Sequence, residues 1–354
     1  MRLLLLLILI TALCPLKTYS QGCVAIKGTS GVCGRPSNAK GWELNLSNRY
    51  FKSYKHFVGA KEQKERVEKG TQVINHAYEL DITVTRVLNA KWSLAATVPV
   101  LYFKRSSLYE HDRITRHSTS SFGIGDTRIS AYRWMFNPAT SHKGNLQIGL
   151  GLKLPTGNYN YQDYFYKKAD SSVVAAVDQS IQLGDGGTGI TLEINGFYNF
   201  SNKIGVYTNF FYLSNPREVN GTSTSRGGTA SATAVKYNTD VMSVPDIFMV
   251  RGGAAFMVKQ LTFSGGVRVE ALPSVDIIGG NRGFRRPGYI ISAEPAVTYV
   301  YKKVSVNLSV PVALKRSRTQ NDSDKRRTID TGIHQQGDAA FADYLISAGV
   351  TFKL

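Results

Sequence analysis

The chain has 354 residues, of which 42% are hydrophobic and 19% are charged, and its formal net charge is +18. A membrane-spanning helix needs about 20 nearly continuous apolar residues, whereas the longest apolar run, residues 3–16, is shorter and contains Thr11, Cys14 and Pro15. A bundle of membrane-spanning helices is therefore excluded. The 19 Tyr, 16 Phe and 3 Trp residues also exclude a disordered chain, which would lack so much aromatic surface.

Residues 1–20 have the three zones of an export signal: Arg2, the apolar run 3–13, and a short polar stretch before Gln21. We predict that this segment is removed, and that residues 21–41 form a periplasmic N-terminal segment. That segment contains Cys23 and Cys33. In an oxidising compartment a disulfide between them is expected, and closing so short a loop would contribute roughly 2 to 3 kcal/mol. No metal site is expected there, because residues 21–39 contain no His, Asp or Glu.

From Trp42 onward, apolar side chains recur at every second position in runs separated by polar stretches, which is the period of a β-strand. Twelve such runs can be counted: 42–50, 72–88, 92–103, 122–136, 145–155, 189–200, 203–213, 245–258, 261–271, 289–301, 304–314 and 341–354. A soluble β-sandwich would show the same alternation. The alternation alone therefore does not identify the medium on the apolar side.

The connectors between the runs alternate in length as regularly as the side chains do. Links such as 201–202 and 302–303 are short, and links such as 156–188 and 214–244 are long. Strictly interleaved short turns and long loops are typical of an even-stranded transmembrane barrel, not of a Greek-key sandwich. The predicted fold is thus all-β: an up-and-down antiparallel β-barrel of about twelve strands, of the bacterial outer-membrane type, over residues 42–354, with both termini periplasmic.

The C-terminal run has an apolar face that continues to the last residue. Ser347, Gly349, Phe352 and Leu354 fall at the polar, glycine, apolar and terminal positions of the signal read by the outer-membrane barrel assembly machinery, although that signal usually ends in an aromatic residue. The sequence therefore predicts this machinery as a partner.

An apolar face turned to lipid leaves the alternate positions for the barrel interior, because a charge facing lipid would cost about 2 to 4 kcal/mol at the midplane. The candidates for lining the lumen are Glu79, Asp81, Asp126, Arg128, Lys153, Glu193, Asn195, Arg251, Arg268, Glu270, Glu294 and Asn307. Charges of both signs are mixed among them. They are compatible with a lining that selects solutes and equally with a structural plug of ion pairs.

Three glycine-weighted stretches resemble the outer-membrane barrels of the MetA-pathway phenol-degradation-like family. They are the segments 123–128 (GIGDTR) and 149–157 (GLGLKLPTG) and the entry 183–189 into the sixth run. This resemblance implies a passive transporter or pore for small molecules, with hydrophobic and aromatic compounds among the candidates. It supplies no active-site residues.

Two other functions remain open. One is a structural or surface-binding barrel with a plugged lumen. The other is an outer-membrane lipid hydrolase, for which His117 with Ser118, Ser120 and Ser121 is the only cluster that offers a nucleophile and a base. No phosphate-binding glycine motif or His-Glu-x-x-His pattern occurs, so no cofactor, no metal and no catalysis are predicted.

The basic excess lies partly in two late loops, at Arg282, Arg285, Arg286, Lys315, Arg316, Arg318, Lys325, Arg326 and Arg327. Outside a cell, exposed cations would meet outer-membrane lipid and the phosphates of lipopolysaccharide, and nucleic acid is not an expected partner. A solvated loop, partly neutralised by nearby aspartates, is the alternative.

Overall fold

The computed structural model describes residues 40–168 and 170–354. The predicted signal peptide, most of the predicted N-terminal segment and the predicted Cys23–Cys33 disulfide lie outside these residues. The strands are β1 (Gly41–Val58), β2 (Lys61–Glu62), β3 (Ile74–Val87), β4 (Trp92–Ser107), β5 (His117–Ile124), β6 (Thr127–Trp134), β7 (Gly144–Leu154), β8 (Gln162–Lys168), β9 (Ser171–Ala176), β10 (Gly189–Asn199), β11 (Ile204–Ser214), β12 (Val219–Ser223), β13 (Val241–Ser243), β14 (Ile247–Val258), β15 (Leu261–Leu272), β16 (Gly288–Tyr301), β17 (Val304–Ser309), β18 (Val312–Arg318) and β19 (Ala339–Lys353).

Twelve spanning strands close into an antiparallel barrel, which confirms the predicted fold. Their order is β1, β3, β4, β5 with β6, β7, β10, β11, β14, β15, β16, β17 with β18, and β19. The last strand pairs with the first from Glu43 with Lys353 to Phe57 with Ala339, so the sheet has no open edge. Closure satisfies the backbone groups that lipid cannot.

Two spanning strands are interrupted. β5 and β6 are separated by Gly125 and Asp126, and β17 and β18 by Val310 and Pro311. Proline lacks the N–H that a ladder requires. A side chain at Gly125 would approach Leu101 to 2.6 Å, so glycine permits the close approach there. Each interruption lies within a single predicted run, and the count of twelve is unaffected.

Several strands extend beyond the predicted runs at the long-loop end. β1 continues to Val58 and β4 to Ser107, through polar residues such as Lys55 and Arg105. Outside the bilayer an outward-facing side chain need not be apolar, so the alternation ends while backbone pairing continues. The sequence pattern therefore marks the membrane-facing length of a strand and not its full length.

The outward face of the barrel is apolar and carries aromatic residues at both ends. Trp42, Trp92 and Tyr301 are exposed near the short turns, and Tyr78 and Tyr102 are exposed towards the long loops. Aromatic belts of this kind mark the two membrane interfaces. Phe103 faces inward and is buried, so it does not belong to a belt. In the part of the chain that the structure covers, no helix is long and apolar enough to cross a membrane.

The long loops fold over one end of the barrel and contain the helices α1 (Lys64–Glu68), α2 (Ala232–Lys236) and α3 (Asp322–Thr331). α3 begins at a capping box in which Asn321 and Asp324 satisfy each other's backbone N–H groups. The loop between β7 and β10 carries the β8–β9 hairpin and then a 3₁₀ turn at Gln179–Ile181. We call residues 177–185 of this loop the plug segment.

Candidate functional site

Two cavities lie one above the other at the long-loop end of the barrel. The inner cavity has a volume of about 170 Å³, and its surface is mainly apolar, with contributions from Leu101, Leu213, Met242 and Leu272. Charged residues also line it, among them Asp126, Arg128 and Lys153. The outer cavity has a volume of about 530 Å³ and is polar. Gln179 of the plug segment borders both cavities. The plug segment therefore separates the two spaces.

Apolar packing holds the plug segment inside the barrel wall. Val177, Ile181 and Leu183 are buried against inward-facing side chains of four strands: Phe51, Ala77, Leu101, Phe103, Ala342 and Leu345. Burial of each such side chain is worth about 1.5 to 3 kcal/mol. The sequence Val177 to Leu183 thus places its apolar residues where they fill the barrel mouth.

A buried carboxylate fixes the start of the plug segment. Asp178 accepts hydrogen bonds from both terminal nitrogens of Arg286 at 2.8 and 2.6 Å. Arg226 Nη2 lies 3.0 Å and Arg105 Nη2 lies 3.4 Å from the same carboxylate. Asp178 also accepts a hydrogen bond from the backbone N–H of Ser180, which caps the 3₁₀ turn. These three arginines come from different parts of the chain, so Asp178 joins the plug segment to β4 and to two other loops.

The charges around Asp178 outweigh its burial. Burial by itself would raise the pKa of the Asp178 carboxyl, but the guanidinium groups of Arg105 and Arg286 hold the pKa well below its usual value. Burial opposes Arg105 and Arg226 in the same way at Glu110, whose pKa is also lowered. Both carboxylates are therefore ionised at neutral pH, and the cluster remains a set of true ion pairs.

A belt of polar side chains crosses six strands deeper in the barrel. Arg268 pairs with Glu270 at 2.7 Å and with Glu294 at 3.5 Å, and Arg251 pairs with Glu294 at 3.1 Å. Arg251 then donates to Asn209 at 2.7 Å. The chain continues through Asn195 to Gln147 by hydrogen bonds of 2.8 and 3.2 Å. Opposite charges are thus matched on β14, β15 and β16 without facing lipid, and amide side chains continue the belt over β11, β10 and β7.

Further buried pairs border the inner cavity. Glu193 accepts a hydrogen bond from Tyr132 at 2.9 Å and lies 4.0 Å from Arg128. Lys153 lies 3.4 Å from Asp126 and also pairs with Asp185 of the plug segment. Lys153 therefore connects the wall of the barrel to the plug segment.

The twelve residues predicted to line the lumen all lie on the inward face of their strands or, for Asp126, at a strand interruption. Seven are buried, namely Glu79, Lys153, Glu193, Arg251, Arg268, Glu270 and Glu294. Asp81, Asp126, Arg128, Asn195 and Asn307 are half-buried. The structure gathers most of them into the belt and the pairs above, but Glu79 pairs with Arg49 of β1. Their role as a lining for a solute stays a prediction.

Several residues of the site were missed by sequence reasoning. Arg49 alternates with Leu44 and Leu46 in the first run, so its inward position could have been read from the strand period. No pattern in the sequence connects Asp178 with Arg226 or Arg286, because the loops that carry them fold together only in three dimensions.

The basic loop residues are only partly free to meet lipid phosphates. Arg285 is fully buried and pairs with Asp276, and Arg318 is buried against Asp324. Arg286 is committed to Asp178. By contrast, Arg282 and Arg326 are exposed in surface pairs. The expectation of a broad cationic surface is therefore too simple, since these buried arginines hold the loops together.

Two side chains of the cluster considered as a possible hydrolase site make other contacts. His117 stacks on Tyr166 with ring centroids 4.4 Å apart, and its Nε2 lies 3.6 Å from Asp112. Ser121 donates instead to the carbonyl of Ile181 at 2.5 Å. Within residues 40–168 and 170–354, no group of three or more His, Cys, Asp or Glu side chains is arranged to hold a metal ion.

Comparison with known proteins identifies the group to which this barrel belongs. Residues 58–233 match the family model described as "Putative MetA-pathway of phenol degradation". This range contains both glycine-weighted segments, the entry 183–189 and the plug segment. The chain belongs to this family of outer-membrane β-barrels. A comparison with curated proteins gave no match.

Several solved structures of outer-membrane proteins align with most of this chain. The COG4313 outer membrane channel from Pseudomonas putida F1 aligns over 93% of this chain and 100% of its own, with a TM-score of 0.57 and 10% identity. The toluene transporter TodX of Pseudomonas putida aligns over 95% and 96%, with a TM-score of 0.42 and 9% identity. The toluene transporter TbuX of Ralstonia pickettii aligns over 89% and 90%, with a TM-score of 0.42 and 9% identity. The first of these likenesses establishes an outer-membrane barrel fold.

Proposed function

We propose that this barrel is a passive channel for small hydrophobic molecules, aromatic compounds among them. The observation that carries the proposal is the apolar inner cavity enclosed by the barrel wall beneath the plug segment. Its volume of about 170 Å³ is close to that of an engineered apolar cavity, about 150 Å³, that binds benzene. Two comparisons also support a channel for such molecules. The family is described by phenol degradation, and the similar protein from Pseudomonas putida F1 is described as an outer membrane channel.

The polar belt is more compatible with a narrow passage than with an open aqueous pore. Arginine and glutamate side chains of β14, β15 and β16 pair with one another in the interior instead of leaving unpaired charges around a wide channel. Such a layer favours small solutes and restricts ion flow. The same belt favours the second candidate, a structural barrel with a filled lumen.

We infer the topology from the connectors. Lys259 and Lys302 adopt positive φ in the shortest turns, and these turns share one end of the barrel with both strand termini. Short turns are periplasmic and long loops extracellular in barrels of this class. On this basis both ends of the barrel domain are periplasmic, residues 1–20 act as the export signal, and the C-terminal strand is read by the assembly machinery.

A pair of tryptophan substitutions tests the channel. Leu213 is buried and borders the inner cavity, so Leu213→Trp would fill the cavity from the wall of β11. Leu152 faces outward on β7 and is half exposed, so Leu152→Trp adds the same bulk to the lipid side. We expect Leu213→Trp to slow the uptake of radiolabelled toluene by intact Gram-negative cells, whose lipopolysaccharide layer resists hydrophobic solutes. Leu152→Trp should match the wild type.

Equal uptake by wild type, both variants and cells without the protein would contradict a channel and favour the filled barrel. Surface expression of each variant is checked by the shift in electrophoretic mobility that folded barrels show before heating.

A further inference from the structure

The outer cavity has the composition of an anion-binding site. Five arginines line it, namely Arg66, Arg226, Arg286, Arg318 and Arg327, with four carboxylates, Glu110, Asp178, Asp324 and Asp338. Arg105 adds a sixth guanidinium behind Glu110 and Asp178. Its volume of about 530 Å³ is within the usual range for small-molecule sites.

The arginines of this cavity retain hydrogen-bonding capacity. Arg318 is 3% exposed, and within residues 40–168 and 170–354 its buried Nε has no hydrogen-bond partner. The buried Nε atoms of Arg66 and Arg226 likewise have no partner among these residues. Buried donors are normally satisfied, so the unpartnered N–H groups on three lining arginines show that the ion pairs present do not use all the donors of this cluster.

Asp178 occupies this site in the manner of a ligand. Both oxygens of its carboxylate accept hydrogen bonds from Arg286, and Arg226 lies beside them. Guanidinium groups bind free carboxylates in the same bidentate geometry. Unlike a ligand, it is tied to the plug segment, whose Ile181 and Leu183 fill the barrel mouth. A carboxylate that took over Arg226 and Arg286 would exchange one ion pair for another and would release the plug segment.

We propose that the channel admits small aromatic acids, whose carboxylate displaces Asp178 from Arg226 and Arg286 and whose ring then enters the inner cavity. This proposal rests on the proposed function and names its substrate class. The arginines select the carboxylate and the apolar cavity selects the ring. The plug segment opens only transiently while Asp178 is paired, and it opens more often when such a solute displaces Asp178. The electrostatic cost of opening is small, because Asp178 is replaced by a group of the same charge.

Binding of radiolabelled benzoate to the purified full-length protein in detergent tests the site. Benzamide has the same shape without the charge, and acetate has the charge without the ring. We expect benzoate to bind on the order of tenfold or more tightly than either compound, because the charge-assisted pairs and the burial of the ring both contribute. Acetate binding as tight as benzoate would overturn the aromatic part, and equal binding of benzamide would overturn the carboxylate part.

Matched variants locate the site. Arg226→Gln and Arg286→Gln should each weaken benzoate binding about tenfold or more. Arg282→Gln removes a cation of the same loop as Arg286 that is exposed and pairs with Glu218 outside the cavity, so it should have no effect. Unchanged binding in the first two variants would overturn the assignment. The comparison of benzoate with benzamide on the wild type stands even where a variant fails to fold.

Release of the plug segment is tested by reaction of a charged thiol reagent with a cysteine placed at Leu213, below the plug segment. Saturating benzoate should accelerate the reaction, and benzamide should not. Benzoate binding without acceleration would overturn the displacement of Asp178. Uptake of toluene without any binding of benzoate would overturn this proposal and leave the proposed function intact. Benzoate binding with no uptake of toluene would overturn the proposed function, and with it the passage of aromatic acids, and would leave only a carboxylate-binding site.

Discussion

Replacement of Asp178 by Asn should loosen the plug segment without unfolding the barrel. Asn has nearly the same shape as Asp and can still accept the hydrogen bond from Ser180, but it carries no charge for Arg226 and Arg286. Removing one partner of a buried ion pair costs about 3 to 5 kcal/mol. Since each 1.4 kcal/mol is a factor of ten, the plug should open about 10² to 10³ times more often.

The remaining apolar contacts set a limit to this effect. Val177, Ile181 and Leu183 stay buried in the barrel mouth, and each contributes about 1.5 to 3 kcal/mol to the closed state. These contacts together outweigh the loss of the ion pairs. We therefore expect Asp178→Asn to open transiently and more often, not to stay open.

Thiol labelling measures the opening directly. Leu213→Cys places a thiol beneath the plug segment, and replacing Cys23 and Cys33 with Ser removes other reactive groups. The labelling rate by a charged, membrane-impermeant reagent should rise about 10² to 10³ times when Asp178→Asn is added. Asp330→Asn is the control, because Asp330 forms an exposed pair with Lys236. Equal labelling rates with and without Asp178→Asn in folded barrels would refute the role of the carboxylate.

Three further predictions follow from buried charge and close packing. Arg251→Met should destabilise the barrel by about 3 kcal/mol in urea unfolding from lipid vesicles, because buried Glu294 loses its nearer cationic partner and keeps only Arg268 at 3.5 Å. Burial would raise the pKa of Asp338, but its basic partners lower it to about 2. Its contribution to stability should be complete above about pH 5 and be lost as the pH falls towards 2. Gly184→Ala should speed the opening of the plug, since an added Cβ would lie 2.7 Å from the carbonyl oxygen of Gly157.

Each of these has its own control. Adding Glu294→Leu to Arg251→Met should recover stability, because a buried pair can be replaced by apolar groups at little cost. Asp338→Asn should differ from the wild type by a constant amount above about pH 5, and a difference that persists at pH 2 would contradict the sign given above. Gly228→Ala adds the same methyl group where no atom lies within 4 Å, so it should leave the opening rate unchanged.

The membrane-spanning part of the fold was predictable because lipid imposes a strict rule on each strand. An outward residue such as Leu152 must be apolar, and its neighbour Lys153 can be charged only because it points inward. The alternation therefore indicates the strand register and which side chains face lipid or the barrel interior. The outer extensions of β1 and β4 were not predictable, because their outward faces lie beyond the lipid, where this rule no longer applies.

The candidate site was predictable only where it belongs to the strands. Arg251 and Glu294 could be assigned to the interior from their position in the alternation, although their pairing across strands could not. Asp178 and Arg286 are 108 residues apart and lie in loops that carry no period. Loop contacts of this kind depend on how long connectors fold together over the barrel, and local patterns do not record them.

Occupancy of the inner cavity is the most direct measure of the proposed channel. Crystals of the protein grown with bromobenzene would show the bromine by its anomalous scattering. We expect a bromine site beneath the plug segment, among Leu101, Leu213 and Leu272. A bromine found only on the outward, lipid-facing surface, with the inner cavity empty, would contradict passage of hydrophobic solutes through this barrel.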